Sequence, residues 1–321
     1  MVPGIVLNMN RRAATALLLT AALGLTASAC ASSSDEASST GAASDATGAT
    51  VACPVEPIEI VVSVDQWGEI AEQLAGPCGN VTTIISGSAG DPHDYEPTTA
   101  DSAAFTDADL VVVNGADYDH WTELAIETLD TAPVVVDAAE VVGRQEGENP
   151  HIWYGPEFVA QVADAIEAEL VALLPGAEDV LAAQRAAWDE AIAPYDELVA
   201  SISAEHAGAT IASTEGVFDD MAAALGLVDA TPEGYRAAAA NEVDPSPGDV
   251  AAFEEVLTSG GVDVLIFNSQ TEGAIPDQIR SVAETAGVPV VEVTETIAPG
   301  ADGFLAWQIA QLEALADALA A

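Results

Sequence analysis

Short runs of apolar residues alternate with amphipathic stretches from residue 58 onward. The apolar runs are rich in valine and isoleucine, which is typical of strands that are buried on both faces of a sheet. The strands are predicted at 58–64, 80–86, 109–115 and 133–142, and the helices between them include 66–76 and 119–129. This alternation predicts a parallel sheet covered by helices on both faces.

The middle of the chain has a different pattern, because residues 156–206 are almost wholly helical and rich in alanine. Its second helix, from about 177 to 204, would span roughly 40 Å at about 1.5 Å per residue. The alternation then resumes, with strands predicted at 209–214, 262–268 and 288–294 and a last helix at 302–320. The predicted fold class is α/β, with two parallel-sheet domains joined by a long helix.

The N-terminus has the pattern of an export signal. Arg11 and Arg12 precede a 17-residue apolar run that ends in small residues before Cys30, too short for a comfortable membrane span. Ser28-Ala29-Cys30 resembles a bacterial lipobox, and Ala27-Ser28-Ala29 also fits ordinary signal cleavage. The small polar residues that follow are suited to a flexible tether. We therefore expect a lipid anchor on Cys30, with plain secretion as the alternative.

These patterns divide the chain into five predicted regions. They are a signal peptide with a lipobox (1–30), a flexible tether (31–54), an N-terminal α/β lobe (55–155), a helical region that includes the linking helix (156–206) and a C-terminal α/β lobe (207–321).

The two remaining cysteines lie before neighbouring strands. Cys53 precedes the strand at 58–64, and Cys78 precedes the strand at 80–86. In a parallel β–α–β unit the starts of the two strands lie side by side, and an exported protein folds in an oxidising compartment. We therefore predict a Cys53–Cys78 disulfide, the alternative being two free thiols.

The charge of the chain excludes several functions. It carries 53 acidic residues against 6 basic ones, all of them arginine, for a net charge of −47. Such a charge repels nucleic acid and anionic membrane surfaces, and it attracts cations. The absence of lysine excludes a Walker A loop and Schiff-base catalysis. The general acidity is otherwise typical of solubility or salt tolerance.

Candidate metal ligands fall just past predicted strands, where open parallel sheets bind ligands. They are His93, His151, Glu215 and Glu272, which follow the strands at 80–86, 133–142, 209–214 and 262–268, respectively. Two come from each half, so the two domains could share one site across their cleft. Two imidazoles with carboxylates suit zinc, manganese, iron(II) or cobalt.

Prolines distinguish His93 and His151 from the other two histidines. Pro92 and Pro150 restrict the backbone directly before them, which limits the movement of each ring. His120, beside Trp121, is interpreted as a capping or packing residue. His206 ends the long helix, where a cation suits the helix dipole.

Four segments carry a resemblance to a known family. DPHDYEPT (91–98), NPHIWYGPE (149–157), STEGVF (213–218) and VPVVEVTETIAPGADGFLAW (288–307) resemble the solute-binding proteins of bacterial zinc/manganese ABC importers. The similarity runs from about residue 55 to the end of the chain. It implies two α/β domains joined by a rigid backbone helix, with one metal buried between them. It also implies that His93, His151 and Glu215 are ligands.

The fourth ligand and the metal are less tightly specified. Manganese-binding members usually have an aspartate near the place where Glu272 falls, so we select Glu272, with water, Asn268 or Gln270 as alternatives. Zinc-binding members often have a third histidine and a long histidine-rich loop, whereas this chain has Glu215 and a short acidic loop at 141–149. Oxygen ligands favour manganese or iron(II), although zinc binds such sites tightly in vitro.

The resemblance implies an extracytoplasmic receptor, without enzymatic activity, that delivers manganese or zinc to a permease driven by a separate ATPase. We expect a monomer. One alternative is a secreted zinc hydrolase with two histidines and Glu215 on the metal, although the chain has no HExxH motif. The other is a metal-binding adhesin or structural lipoprotein without a transport role.

Overall fold

A computed structural model of the protein describes residues 52–87, 95–241, 243–271 and 273–321. The predicted signal peptide, Cys30, His93 and Glu272 lie outside these residues. The first lobe contains one parallel sheet of four strands, in which the second strand along the chain lies at one edge and is followed by the first, third and fourth. Its strands are β1 (Ile58–Val64), β2 (Gly79–Ile85), β3 (Leu110–Val113) and β4 (Val134–Asp137), and its helices are α1 (Asp65–Ala75), α2 (Thr99–Thr106), α3 (Trp121–Glu127) and α4 (Ala138–Val142).

The second lobe repeats this strand order. Its parallel sheet also has four strands, with the lobe's second strand at one edge followed by its first, third and fourth. Two helices connect the lobes, α5 (Pro156–Leu173) and α6 (Glu178–His206). The strands of the second lobe are β5 (Thr210–Ser213), β6 (Val228–Asp229), β7 (Val264–Asn268) and β8 (Val290–Val293), and its helices are α7 (Asp219–Leu225), α8 (Glu233–Ala240), α9 (Pro247–Thr258), α10 (Ala274–Ala286) and α11 (Gly303–Leu319). Two parallel-sheet α/β domains are therefore present, as the sequence predicts.

The linking helix is α6, which has 29 residues and spans roughly 43 Å. It packs against α1 of the first lobe and against α7 and α11 of the second. Pro194 lies inside it and cannot donate a helical hydrogen bond, yet the helix continues to His206. Buried Trp188 and Tyr195 anchor α6 to the rest of the protein on either side of this proline.

The two lobes share one hydrophobic core. A single cluster of buried side chains includes Ile60 and Trp153 from the first half and Phe218 and Trp307 from the second. A smaller cluster around Phe253 lies within the second lobe. Because close-packed interiors resist deformation, a continuous core of this kind restricts the lobes to small relative movements.

Two local predictions differ from the structure. The strand predicted at 133–142 ends at Asp137, and residues 138–142 form α4 instead. The cause is Asp137 itself, whose carboxylate accepts a hydrogen bond from the backbone N–H of Glu140 and so caps the new helix. Strand β6 was not predicted, because its two residues are too few to show an alternating pattern. No helix within the described ranges is long and apolar enough to cross a membrane.

A disulfide joins Cys53 to Cys78. The two cysteines lie before adjacent strands, since Ile58 of β1 is paired with Gly79 of β2. The bond also ties the segment that precedes β1 to the turn between α1 and β2, where Cys78 is fully buried.

Replacing both cysteines with serine is expected to lower the free energy of unfolding by about 3 kcal/mol, because the 25-residue separation closes a loop whose entropy constrains the unfolded chain. Urea unfolding of the oxidised protein, the reduced protein and the double variant measures this difference. An unchanged midpoint in all three samples would show that the bond does not form in solution.

Candidate metal centre

Three metal-binding side chains from separate parts of the chain converge between the lobes. His151, Glu215 and Glu295 each offer a ligand atom, and these atoms lie within 4.8 Å of one another. His151 belongs to the first lobe, Glu215 follows β5 and Glu295 follows β8. The His151 Nε2 and Glu295 Oε2 atoms are 3.7 Å apart, longer than a hydrogen bond. One cation between these atoms would contact all three side chains.

Asn149 orients the imidazole of His151. The Asn149 Oδ1 atom accepts hydrogen bonds from the His151 backbone N–H (3.0 Å) and ring Nδ1 (2.8 Å). Its Nδ2 atom donates to the carbonyl of Gly216, which fixes the orientation of the amide. Since an amide oxygen only accepts, the ring proton is assigned to Nδ1, and Nε2 keeps its lone pair toward the two glutamates. The ring also packs edge-on against Trp153, with their centroids 5.3 Å apart.

Asn268, the last residue of β7, holds the two carboxylates together. Its Nδ2 atom donates to Glu215 Oε2 at 2.8 Å and to Glu295 Oε1 at 3.0 Å. The hydroxyl of Thr271 also donates to Glu215 Oε2. Gln270 binds the backbone instead, because its Oε1 atom accepts from the N–H of Glu295. Asn268 and Gln270 were the alternatives for the fourth ligand. In the structure, both instead form hydrogen bonds that position the glutamates.

Burial and like charge make the metal-free site unfavourable. Burial raises the pKa of Glu215, and the neighbouring Glu295 carboxylate raises it further. Burial lowers the pKa of His151, but the nearby carboxylates, Glu295 above all, outweigh this effect, so that the pKa is raised overall. His151 and Glu215 therefore hold their protons more tightly than usual. A divalent cation would relieve the same repulsion between the carboxylates, so metal binding should displace these protons.

Metal affinity is expected to fall as the pH is lowered, beginning above the ordinary histidine pKa of 6.5, because the pKa of His151 is raised. The imidazole must lose its proton before Nε2 can bind a metal, and below the pKa each competing proton reduces affinity about tenfold per pH unit. Protonation of Glu215 adds to the loss at lower pH. Titrations with zinc from about pH 8 down to about pH 5 test this slope. An affinity that stays constant over this range would exclude His151 as a ligand.

The structure brings together two of the four predicted ligands, His151 and Glu215. His93 and Glu272 lie outside the described residues and stay predictions. The nearest described residues on either side of His93, Gly87 and Tyr95, form hydrogen bonds within the first lobe. The Gly87 N–H donates to Asp65 Oδ2 at 2.6 Å, and the Tyr95 hydroxyl donates to Asp101 at 2.8 Å.

Glu295 is the residue that the sequence analysis missed. It lies two residues past the end of β8, in the same relation to its strand as Glu215 to β5. The rule that selected the other ligands would therefore have found it if it had been applied to the last strand. His120, by contrast, is 54% exposed and lies 3.9 Å from Asp117, so it takes no part in this centre.

The profile of the family described as ZnuA, zinc-uptake complex component A, periplasmic, matches residues 60–318. The chain belongs to the ZnuA family. This membership agrees with the resemblance on which the ligand predictions were partly based.

Relatives in this family are named for different metals. The manganese-binding lipoprotein MntA of Halalkalibacterium halodurans is 28% identical over 149 residues, which cover 45% of this chain and 49% of the relative. The zinc-binding lipoprotein AdcA of Streptococcus pneumoniae is 22% identical over 283 residues, with 80% of this chain and 55% of AdcA covered. The chain thus spans about half the length of these two relatives. The zinc uptake protein ZnuA of Bacillus subtilis is 22% identical, with 70% and 75% covered.

Solved structures show the same fold. Zinc-bound AdcA from Streptococcus pneumoniae superposes with a TM-score of 0.65 at 20% identity and covers 82% of this chain and 58% of AdcA. The periplasmic zinc-binding protein TroA from Treponema pallidum superposes with a TM-score of 0.68 at 16% identity, with 82% and 99% covered.

Proposed function

We propose that this protein is an extracytoplasmic receptor that captures one divalent transition-metal ion between its lobes and delivers it to an ABC importer. The observation that carries the proposal is the convergence of His151, Glu215 and Glu295 from both lobes within 4.8 Å. Similar proteins are named for the binding of manganese, zinc and iron. The ion is the cargo, and the protein's task is to bind it tightly and release it on demand.

The ligand set includes His151, Glu215 and Glu295, with His93 as the fourth member. Glu272 stays an alternative to Glu295 or a further oxygen donor. A set with one or two imidazoles and two carboxylates suits manganese, zinc or iron(II), and the Irving–Williams order makes zinc the tightest binder of the three in vitro. We propose manganese or zinc as the physiological cargo.

Binding rather than catalysis is favoured by how closed the centre is. The ligand side chains are almost buried, since 8% of the His151 side chain and 14% of the Glu295 side chain are exposed. A hydrolytic zinc site needs an open coordination position and space for a substrate. The shared core of the two lobes makes wide opening costly.

We also propose where the receptor lies in the cell and which proteins it acts with. Cys30 would carry a lipid anchor on the outer face of the cell membrane, with residues 31–54 as the tether. The partners would be a permease and its separate ATPase, and the receptor would act as a monomer. An adhesin that binds metal but does not deliver it is the alternative, since the laminin-binding adhesin of Streptococcus agalactiae has the same fold.

Accumulation of radioactive manganese and zinc in cells tests the proposal. Deleting the gene for the protein is expected to lower accumulation of the cargo metal when its concentration in the medium is low. Expression of the unaltered chain should restore accumulation. The His151→Ala variant should not restore it, whereas His120→Ala, the same substitution at an exposed histidine, should. Equal accumulation with and without the protein would contradict a role in transport.

A further inference from the structure

Two polar connections join the ligand-bearing segments of the two lobes. One segment is 143–151, which leads from α4 to His151, and the other is 216–220, which directly follows Glu215. Asn149 spans them through its hydrogen bond to the Gly216 carbonyl, at 2.6 Å. The second connection is an ion pair between Arg144 and Asp220. The Arg144 Nη2 atom lies 2.9 Å from Asp220 Oδ1 and 2.8 Å from Oδ2.

The Arg144–Asp220 pair is mostly buried and is packed against its surroundings. Only 17% of the Arg144 side chain and 18% of the Asp220 side chain are exposed. The Arg144 guanidinium lies 5.4 Å from the ring centroid of Phe158, within reach of a cation–π contact. Its backbone N–H donates to the carbonyl of Ala139, in the first turn of α4. A partly buried pair with a fixed backbone is screened less by salt than an exposed one.

The position of the pair suggests a task beyond general stability. All four arginines in the described part of the chain make ion pairs with carboxylates. The Arg185 ion pairs lie within α5 and α6. The Arg236–Asp229 pair and the pairs of Arg280 with Glu284 and Glu292 lie within the second lobe. Arg144 instead links the loop that ends in His151 to the helix that follows Glu215.

We propose that Arg144 and Asp220 form an interlobe clasp that slows metal release, an inference that rests on the proposed function. An ion bound between His151 and the glutamates leaves only when these ligands move apart. Because the clasp joins the same two segments, that movement must stretch or break the ion pair. Arg144 and Asp220 are thus positioning residues that act on the ion through the distance between its ligands.

A through-space effect of the two charges predicts a different result from the clasp. Arg144 is a cation that repels a bound metal ion, so removing its charge would slow release, whereas removing the negative charge of Asp220 would speed it. A clasp requires that both substitutions speed release, because each breaks the same pair. The two explanations therefore differ in the sign of the Arg144 effect.

The test measures the rate at which zinc passes from the loaded protein to an excess of chelator. Arg144→Gln and Asp220→Asn are each expected to raise this rate about threefold to tenfold. Exchanging the two residues, Arg144→Asp with Asp220→Arg, should bring the rate back to within about twofold of the original protein. The matched control is Arg280→Gln, which removes an arginine with both an ion pair and an aromatic contact, to Phe267, within one lobe. It should leave the rate unchanged.

Several results would overturn the clasp. A slower release from Arg144→Gln would assign the effect to charge alone, and unchanged rates in both single variants would remove the clasp while the receptor proposal stands. An original protein that holds no zinc against the chelator would overturn both proposals.

Thermal melting of each metal-free variant checks its folding, and Arg144→Lys, which keeps the charge but not the two-oxygen contact, replaces Arg144→Gln if that variant does not fold. Its rate should lie between those of the original protein and Asp220→Asn.

Discussion

Replacing His151 with alanine is expected to weaken zinc and manganese binding by more than about 100-fold. Even residues that only orient metal ligands cost about 10- to 100-fold when they are replaced, and His151 supplies a ligand atom itself. Its Nε2 atom is buried with no hydrogen-bond partner among the described residues. That orphaned nitrogen is what a metal would satisfy.

Calorimetric titration of the metal-stripped protein measures this loss, with His120→Ala as the matched control. The His120 side chain is 54% exposed, so its replacement should leave the affinity unchanged. Circular dichroism of the metal-free His151→Ala protein separates loss of the ligand from loss of the fold. Tight binding that persists in a folded His151→Ala protein would place the site elsewhere.

Replacing Glu295 with glutamine is expected to have opposite effects on binding and on stability. The glutamine keeps an oxygen that accepts from Asn268 but removes a negative ligand, so that affinity should fall by at least about 30-fold. The metal-free protein should become as stable or more stable at alkaline pH, because Glu295 adds to the repulsion that raises the pKa of Glu215. Opposed changes of this kind are typical of functional sites.

Zinc titration and urea unfolding of the same samples measure the two effects, and Glu292→Gln is the control. Glu292 lies three residues away and is 51% exposed, where it pairs with Arg280. The Glu292→Gln substitution should leave metal affinity unchanged. Full affinity in Glu295→Gln would assign the place of Glu295 in the ligand set to Glu272. A large loss of metal-free stability at alkaline pH would show that Glu295 is structural.

The strands were predictable because buried parallel strands need apolar side chains on both faces, and the valine-rich runs at 58–64 and 109–115 have them. The error at 133–142 has a local cause. Asp137 interrupts an apolar run, and only the hydrogen bond to Glu140 shows that it starts a helix. A single aspartate in so acidic a chain gives little warning of this.

The centre was only partly predictable, for reasons of charge and of sequence distance. His151 could be found because histidine is rare here, with 4 in the chain, whereas Glu295 is one of 53 acidic residues. What distinguishes Glu295 is its position past β8 and the amide of Asn268, which reaches both glutamates. The Arg144–Asp220 pair, 76 residues apart in the sequence, depends on how the lobes meet and leaves no local pattern.

The shared core and the hydrogen bonds from Asn149 and Asn268 to the ligand side chains explain how such a receptor would hold its cargo. The Asn149 side chain orients His151, and the Asn268 side chain orients Glu215 and Glu295. Neither amide carries a charge that would compensate the two glutamates. The centre is therefore pre-organised and electrostatically unfavourable until a cation arrives, which favours tight binding through small movements.

A crystal structure of the zinc-loaded protein, with the ion located by its anomalous scattering, tests the central claim most directly. The account predicts one fully occupied ion per chain, about 2.0–2.2 Å from His151 Nε2 and from one oxygen each of Glu215 and Glu295. The remaining contacts of that ion would also decide between His93, Glu272 and water. Zinc bound only to exposed carboxylates, with the His151, Glu215 and Glu295 cluster empty, would contradict the account.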